Sequence, residues 1–143
     1  MSILLDTNVL SELLRISPDV SVLNWVEGQA PDSLYVSTVT CAEMMFGARR
    51  LPAGKRRSAL EGHLSAMFEE EFAQRIFPFD TRAAMAYADV MSTRRSSGRP
   101  IMQFDGQIAA IAISRGARLA TRNVSDFDGC GLTVIDPWRA TTQ

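Results

Sequence analysis

Ile3-Leu4-Leu5-Asp6-Thr7-Asn8-Val9-Leu10 is the stretch on which the fold turns. Three aliphatic residues in a row, without alternation, describe a strand covered on both faces, as in a parallel sheet. Asp6-Thr7-Asn8 reads as a polar turn, and Val9, Leu10, Leu13 and Leu14 follow at helical spacing. A buried strand therefore runs into a helix through an acid. Ligands of open α/β sheets sit outside the carboxyl ends of the strands, where the topology reverses, and Asp6 is placed for that crevice. Capping explains Asp6 poorly, because Asn8 is better placed to cap the helix.

Outward from this stretch, helix and strand patterns alternate. A second helix is expected from Asp19 to Glu27 and a second strand from Leu34 to Val39. Cys41, Met44, Met45 and Ala48 keep the i, i+3, i+4, i+7 rule, so a helix is expected from Thr40 until Pro52 and Gly54 interrupt it. A long helix from Lys55 to Ala73 follows, then a strand from Ile76 to Phe79 and a helix from Thr81 to Arg94. Ser96-Ser97-Gly98-Arg99-Pro100 is a loop by its turn residues. Phe104, Ile108, Ile111 and Ala112 mark a helix ending near Gly116. Strands at Arg118 to Ala120 and Leu132 to Ile135 flank the turn-rich segment from Asn123 to Gly131. Short apolar strands separated by helices imply an α/β fold, a mainly parallel sheet covered on both sides. Residues 1–143 carry no repeat and no internal boundary, which predicts one domain.

The composition excludes several classes. No apolar run approaches the ~20 residues of a membrane span, and no signal-peptide pattern opens the chain, so the cytoplasm is the expected compartment. Cys41 and Cys130 lie far from each other and from the lone His63, which argues against a zinc site or a disulfide framework; both thiols are expected to be reduced, and His63 reads as an ordinary surface residue. A net charge of −1 leaves polyanion binding to local patches. Of 15 basic residues only Lys55 is lysine. Guanidinium groups suit bidentate phosphate recognition, although a GC-rich genome would also favour arginine codons.

Asp6, Glu43, Asp105 and Asp126 each fall at the end of an element. Such acids can face a cleft and share a cation, and hard oxygen donors select Mg2+ or Mn2+. The matching chemistry is phosphodiester hydrolysis by a metal-activated water, which needs neither a histidine nor a lysine base. Each acid but Asp6 also has an ordinary explanation. Thr40-Cys41-Ala42-Glu43 fits a capping box, Asp105 could complement a helix dipole, and Asp126 could close an Asx turn, with Asp128 two residues away as an alternative.

Four blocks carry a family resemblance: Leu4-Leu5-Asp6-Thr7-Asn8-Val9, Ser37-Thr38-Val39-Thr40-Cys41-Ala42-Glu43, Phe104-Asp105-Gly106-Gln107-Ile108-Ala109-Ala110, and Ala120-Thr121-Arg122-Asn123-Val124-Ser125-Asp126-Phe127. In this order and spacing the chain resembles the PIN-domain ribonucleases, most closely the VapC-type toxins of type II toxin–antitoxin pairs and their FitB-like branch. The resemblance implies a three-layer α/β/α sandwich around a five-stranded sheet. It also implies endoribonuclease activity dependent on Mg2+ or Mn2+, with Asp6, Glu43 and Asp105 as the principal catalytic acids and metal ligands, and Asp126 as the more variable fourth. Asn8, Thr121 and Asn123 match polar positions beside the metal. The implied partners are a transfer or messenger RNA substrate, a small DNA-binding antitoxin, and a second copy of the chain in a homodimer. A larger hetero-oligomer with antitoxin on operator DNA also follows. Gly106 departs from the alanine common in similar toxins, which weakens the helix by about 0.5 to 1 kcal/mol and could loosen Asp105.

Two basic clusters are legible. Arg49, Arg50, Lys55, Arg56 and Arg57 form one; Arg94, Arg95 and Arg99 form another, leading into Asp105 and therefore the better candidate for holding RNA phosphates. Helix-dipole complementarity would equally explain Arg94 and Arg95. Met44, Met45 and Phe46, with Met67 and Phe68, could line a groove for an amphipathic antitoxin helix or belong to the core. A silent PIN-like module that binds RNA or protein without cutting is an alternative. A haloacid-dehalogenase-like phosphatase or a receiver domain is another, requiring a well-placed lysine for which Lys55 is the sole candidate.

Overall fold

The computed structural model describes residues 1–140. β1 (Ile3–Leu5) leads through Asp6 into α1 (Thr7–Leu13), followed by α2 (Val20–Glu27) and β2 (Leu34–Ser37). α3 (Thr38–Arg49) and α4 (Lys55–Ala66) come next, then β3 (Ile76–Phe77), α5 (Thr81–Ser96), α6 (Gln103–Arg115), β4 (Arg118–Ala120) and β5 (Val134–Ile135). The five strands form one sheet in the order β3-β2-β1-β4-β5, and every pairing is parallel.

This order places the site. The chain winds outward from β1 to β3 on one side, then crosses back to β4 and β5 on the other, so the topology reverses between β1 and β4. Their carboxyl ends open the crevice in which such sheets bind ligands. Asp6 leaves β1 there, its N–H bonded to Ala120 O at 2.9 Å, and Thr121 leaves β4 there, its N–H bonded to Ile135 O at 2.9 Å.

Both faces of the sheet are dry. Ile3 and Leu5 point to one side and pack with Val9, Leu10, Val22, Val36 and Leu64 under α1 to α4. Leu4 and Leu119 point to the other and pack with Ala83, Val90, Ile108 and Ile111 under α5 and α6. The period-two alternation of a strand thus feeds two cores, giving the three expected layers.

Several boundaries differ from the sequence expectation. β2 ends at Ser37, two residues early, because the Ser37 hydroxyl accepts the Thr40 N–H at 3.0 Å and starts α3 at Thr38. The long helix expected to Ala73 ends at Ala66 and continues as a π turn, Met67–Glu71. Its wider loop, closed by Phe72 N–H to Met67 O at 3.0 Å, turns Met67, Phe68 and Phe72 together into the core. β3 and β5 are each two residues long rather than four.

Gly106 is explained by packing. A Cβ there would lie 2.7 Å from Met91 Sδ and 3.2 Å from the Tyr87 ring, so the missing side chain lets α6 close on α5.

Candidate active site

Asp6, Glu43 and Asp105 converge on one cleft of about 540 Å³, together with Thr7, Asn8, Ser11, Glu12, Arg15, Arg122, Asn123 and Trp138. Asp6 comes from the end of β1, Glu43 from the second turn of α3, and Asp105 from the first turn of α6. Three segments distant in sequence meet because their elements all abut the topological reversal.

Asp6 is buried and held by a threonine. Thr121 Oγ1 donates to Asp6 Oδ2 at 2.7 Å, while the same hydroxyl accepts from Asn8 Nδ2 at 3.2 Å and from the Asn123 N–H at 3.1 Å. Two donors into one oxygen leave its proton only the carboxylate, which fixes its direction. Asn8 Oδ1 also accepts the Arg122 N–H at 3.3 Å. Asn8 therefore does not cap α1. Asp6 itself takes the cap position, accepting the Thr7 N–H at 2.8 Å.

A second hydroxyl relay ends at Glu43. Thr7 Oγ1 donates to Glu43 Oε1 at 2.9 Å and lies 2.9 Å from Thr40 Oγ1, which receives the Ser37 hydroxyl at 3.3 Å. With the proton of Thr7 committed to Glu43, Thr40 is the donor to Thr7. Glu43 is thus no part of a capping box. The α3 cap is Ser37, and Glu43 faces the cleft one turn further on.

The electrostatics match this placement. Burial raises the Asp6 carboxyl above its usual range against the opposing hydrogen bonds, and the charges of Glu43 and Asp126 add to the rise. Burial likewise raises Glu43, with Asp105 adding repulsion. Asp105 is pushed up to about 6 by burial and then by the charges of Asp6 and Asp126. No lysine or arginine forms an ion pair with these acids among the described residues; Arg15, at the rim, is turned to Glu12 at 3.3 Å.

Asp126 sits in the 3-10 turn Val124–Phe127 with its side chain exposed. It is near enough to repel Asp6 and Asp105 but does not line the cleft. Asp128 does not line the cleft either and pairs with Arg99 at 3.6 Å. Among the described residues no three Asp, Glu, His or Cys side chains stand close enough to enclose a cation as they are. The donor set nevertheless suits Mg2+, which keeps several waters and binds through few carboxylates.

Arg94, expected to hold RNA phosphate, is instead turned into the protein. Only 6% exposed, its Nη1 donates to Asp126 O at 2.7 Å and Asp128 O at 2.8 Å, and its Nε to Arg99 O at 2.6 Å. The guanidinium is an internal strut that fixes the Asp126 turn. Arg95, in the last turn of α5, and Arg99, on the α5–α6 connection, are exposed. Met67 and Phe68 are core, not groove, and Lys55 opens α4 without lining the cleft. His63 is exposed as expected, and Cys41 and Cys130 are free.

The PIN domain model matches residues 3–128. The chain belongs to the PIN-domain family. Within it, the VapC ribonuclease Y4jK of Sinorhizobium fredii is 44% identical, the match covering 95% of this chain and 97% of that one. Toxin FitB of Neisseria gonorrhoeae is 38% identical over 95% and 98%. The crystal structure of FitAcB from Neisseria gonorrhoeae superposes with a TM-score of 0.90 at 37% identity, covering 96% of this chain and 99% of that chain. The five-stranded parallel sheet between helices is thus the PIN sandwich.

Sequence reasoning missed Thr7, Ser11, Glu12 and Arg15 as cleft residues. Their signal was available, since Thr7, Asn8, Ser11 and Glu12 form the polar stripe opposite Val9 and Leu10 on α1, and Arg15 keeps the same spacing just past its end. Trp138 had no such signal: it lies beyond β5 and reaches the cleft through the tertiary fold.

Proposed function

We propose that this PIN-domain protein is a divalent-metal-dependent endoribonuclease and the toxin of a toxin–antitoxin pair. The observation that carries the reading is the convergence of Asp6, Glu43 and Asp105, all with raised proton affinity and no cationic partner, in one open cleft at the sheet reversal. Carboxylates arranged so repel one another and would repel phosphate. A cation reverses that sign.

Asp6, Glu43 and Asp105 would hold Mg2+ or Mn2+, with Asp126 at the rim serving directly or through water. When bound, the ion lowers the pKa of a water for in-line attack and neutralises charge growing on phosphorus. The chain's own part is orientation. Thr121 fixes Asp6 and Thr7 fixes Glu43. The names carried by Y4jK and FitB agree with RNA as substrate and with a toxin's role.

An antitoxin segment has a place to lie. A second groove of about 310 Å³ between α1, α3 and α4 is lined by Leu14, Met44, Gly47 and Leu60 and shares Thr7, Ser11 and Glu43 with the cleft. An amphipathic helix seated there would abut the acids and block them.

The test is direct. Asp6→Asn and Asp105→Asn, each folded by circular dichroism, should lose metal-dependent RNA cleavage and calorimetric Mg2+ binding. Full cleavage by either variant would refute the assignment, and RNA bound but never cut by the wild type would replace it with a silent binding module.

A further inference from the structure

Beside the acidic cleft lies a second depression of about 800 Å³, and the two share Arg122, Asn123 and Trp138. They are continuous along the ends of β4 and β5. Arg122 divides them, its guanidinium carbon 5.0 Å from the centre of the Trp138 ring. An arginine laid over an indole is held by the ring's negative face and stays free to offer its N–H edge outward.

The charges around it leave Arg122 available. Asp128 is engaged by Arg99 at 3.6 Å. Asp136 accepts the Trp138 N–H at 2.9 Å and lies 3.9 Å from Arg139, which is 89% exposed. No carboxylate among the described residues pairs with Arg122. Its backbone is fixed as well, through its N–H to Asn8 Oδ1 at 3.3 Å, so the same asparagine that bonds Thr121 beside Asp6 also sets the start of the arginine.

We propose that this second depression holds the RNA nucleotide next to the scissile phosphate. Arg122 grips that nucleotide's phosphate and Trp138 fixes the plane of the guanidinium. Arg122 is thus a substrate-binding residue and Trp138 a positioning residue. The assignment rests on the ribonuclease reading above, and it adds a direction: the strand leaves the acids toward β5 rather than along the last turn of α5 where Arg95 lies.

The experiment uses the full chain and a short fluorescent single-stranded RNA. Binding is followed by anisotropy with Ca2+ in place of Mg2+ over a monovalent-salt series, so that the cleft carries a cation while cleavage is held back, and cleavage by KM and kcat with Mg2+. Arg122→Ala should weaken binding about tenfold and reduce the salt slope by about 0.7, the share of one phosphate contact. KM should rise by a similar factor with kcat within about twofold, whereas an Asp105→Asn defect falls on kcat. Trp138→Phe, which keeps a ring beneath the guanidinium, should retain most of the affinity. Trp138→Leu should lose several-fold, and its melting temperature guards against misfolding. Arg95→Ala should be silent.

Unchanged KM and salt slope in Arg122→Ala, with wild-type cleavage intact, would overturn the subsite and leave the ribonuclease reading standing. A wild type that neither binds nor cuts RNA would overturn both. Polyglutamate bound as tightly as RNA, with the same loss in Arg122→Ala, would reassign the depression to an acidic protein segment and overturn the proposal.

Discussion

Replacing Arg94 with methionine separates a buried strut from a phosphate contact. The guanidinium donates to three backbone carbonyls, those of Arg99, Asp126 and Asp128, and comes within 3.6 Å of Cys130 Sγ. Hydrogen bonds from a charged donor contribute about 1.5 to 3 kcal/mol each. The three acceptors belong to exposed residues, so water can reach them after the change, and the lower end applies, giving roughly 4 kcal/mol. Removing a buried charge returns part of its desolvation cost, about 1 to 2 kcal/mol, since a methionine of similar length can fill the space. The net expectation is a loss of about 2 to 3 kcal/mol. For a domain of this size that is a fall in melting temperature of roughly 6 to 10 °C, measurable by calorimetry. Because Arg94 fixes the carbonyl of Asp126, kcat should drop a few-fold while KM for RNA stays put. Arg94→Lys should recover little, because a single ammonium cannot span the acceptors of a guanidinium fork. A melting temperature within 2 °C of wild type, together with a raised KM that lysine restores, would refute the strut and return Arg94 to the RNA surface.

Three further outcomes follow from the site. In EDTA, the folded chain holds a proton on Asp105 up to about pH 6 while the unfolded chain releases it near the ordinary value. Stability from this group is therefore full below about 4 and is lost as pH rises through 6. Asp105→Asn should accordingly stabilise the metal-free protein at pH 7.5 by on the order of 1 kcal/mol after allowance for solvent screening, flatten the pH profile, and abolish stabilisation by Mg2+ in urea titrations. Thr40→Val removes the donor behind Thr7, so it should cost about 1 kcal/mol of stability and weaken calorimetric Mg2+ affinity several-fold with the fold unchanged. Gly106→Ala should destabilise by about 1 kcal/mol in urea despite the higher helix propensity of alanine, because the new Cβ meets Met91 Sδ at 2.7 Å; adding Met91→Ala should shrink that penalty in a double-mutant cycle.

The fold was legible where short-range patterns carry it. Ile3-Leu4-Leu5 reads as a strand dry on both faces, and the structure gives its alternate residues to two separate cores. Boundaries were legible only where the stop signal is local. Gly116, at φ 62, ends α6 as expected. The π turn at Met67 has no local signal, since its driving force is the simultaneous burial of Met67, Phe68 and Phe72 against residues far away in sequence. Ser37 ended β2 early because a hydroxyl that could extend a strand can equally cap a helix, and the choice depends on the tertiary position of the α3 turn.

The site shows the same division more sharply. Each acid could be found in the sequence, but what aims Asp6 and Glu43 at the cleft is the hydroxyl that restrains each, and those hydroxyls lie 115 and 36 residues away. Thr121 is the clearest case. Its hydroxyl takes two donors and gives its proton to Asp6, an arrangement with meaning only once β1 and β4 are neighbours. Arg94 shows the converse error: a cation leading toward an acidic cleft reads as a phosphate contact until burial turns it inward. Charge type is written in the sequence, whereas charge direction is written in the sheet order. With β4 beside β1, Asp6 meets Thr121 and Asn8 meets Arg122, and one reversal of strand order therefore sets both the acid's restraint and the start of the arginine that faces the neighbouring depression.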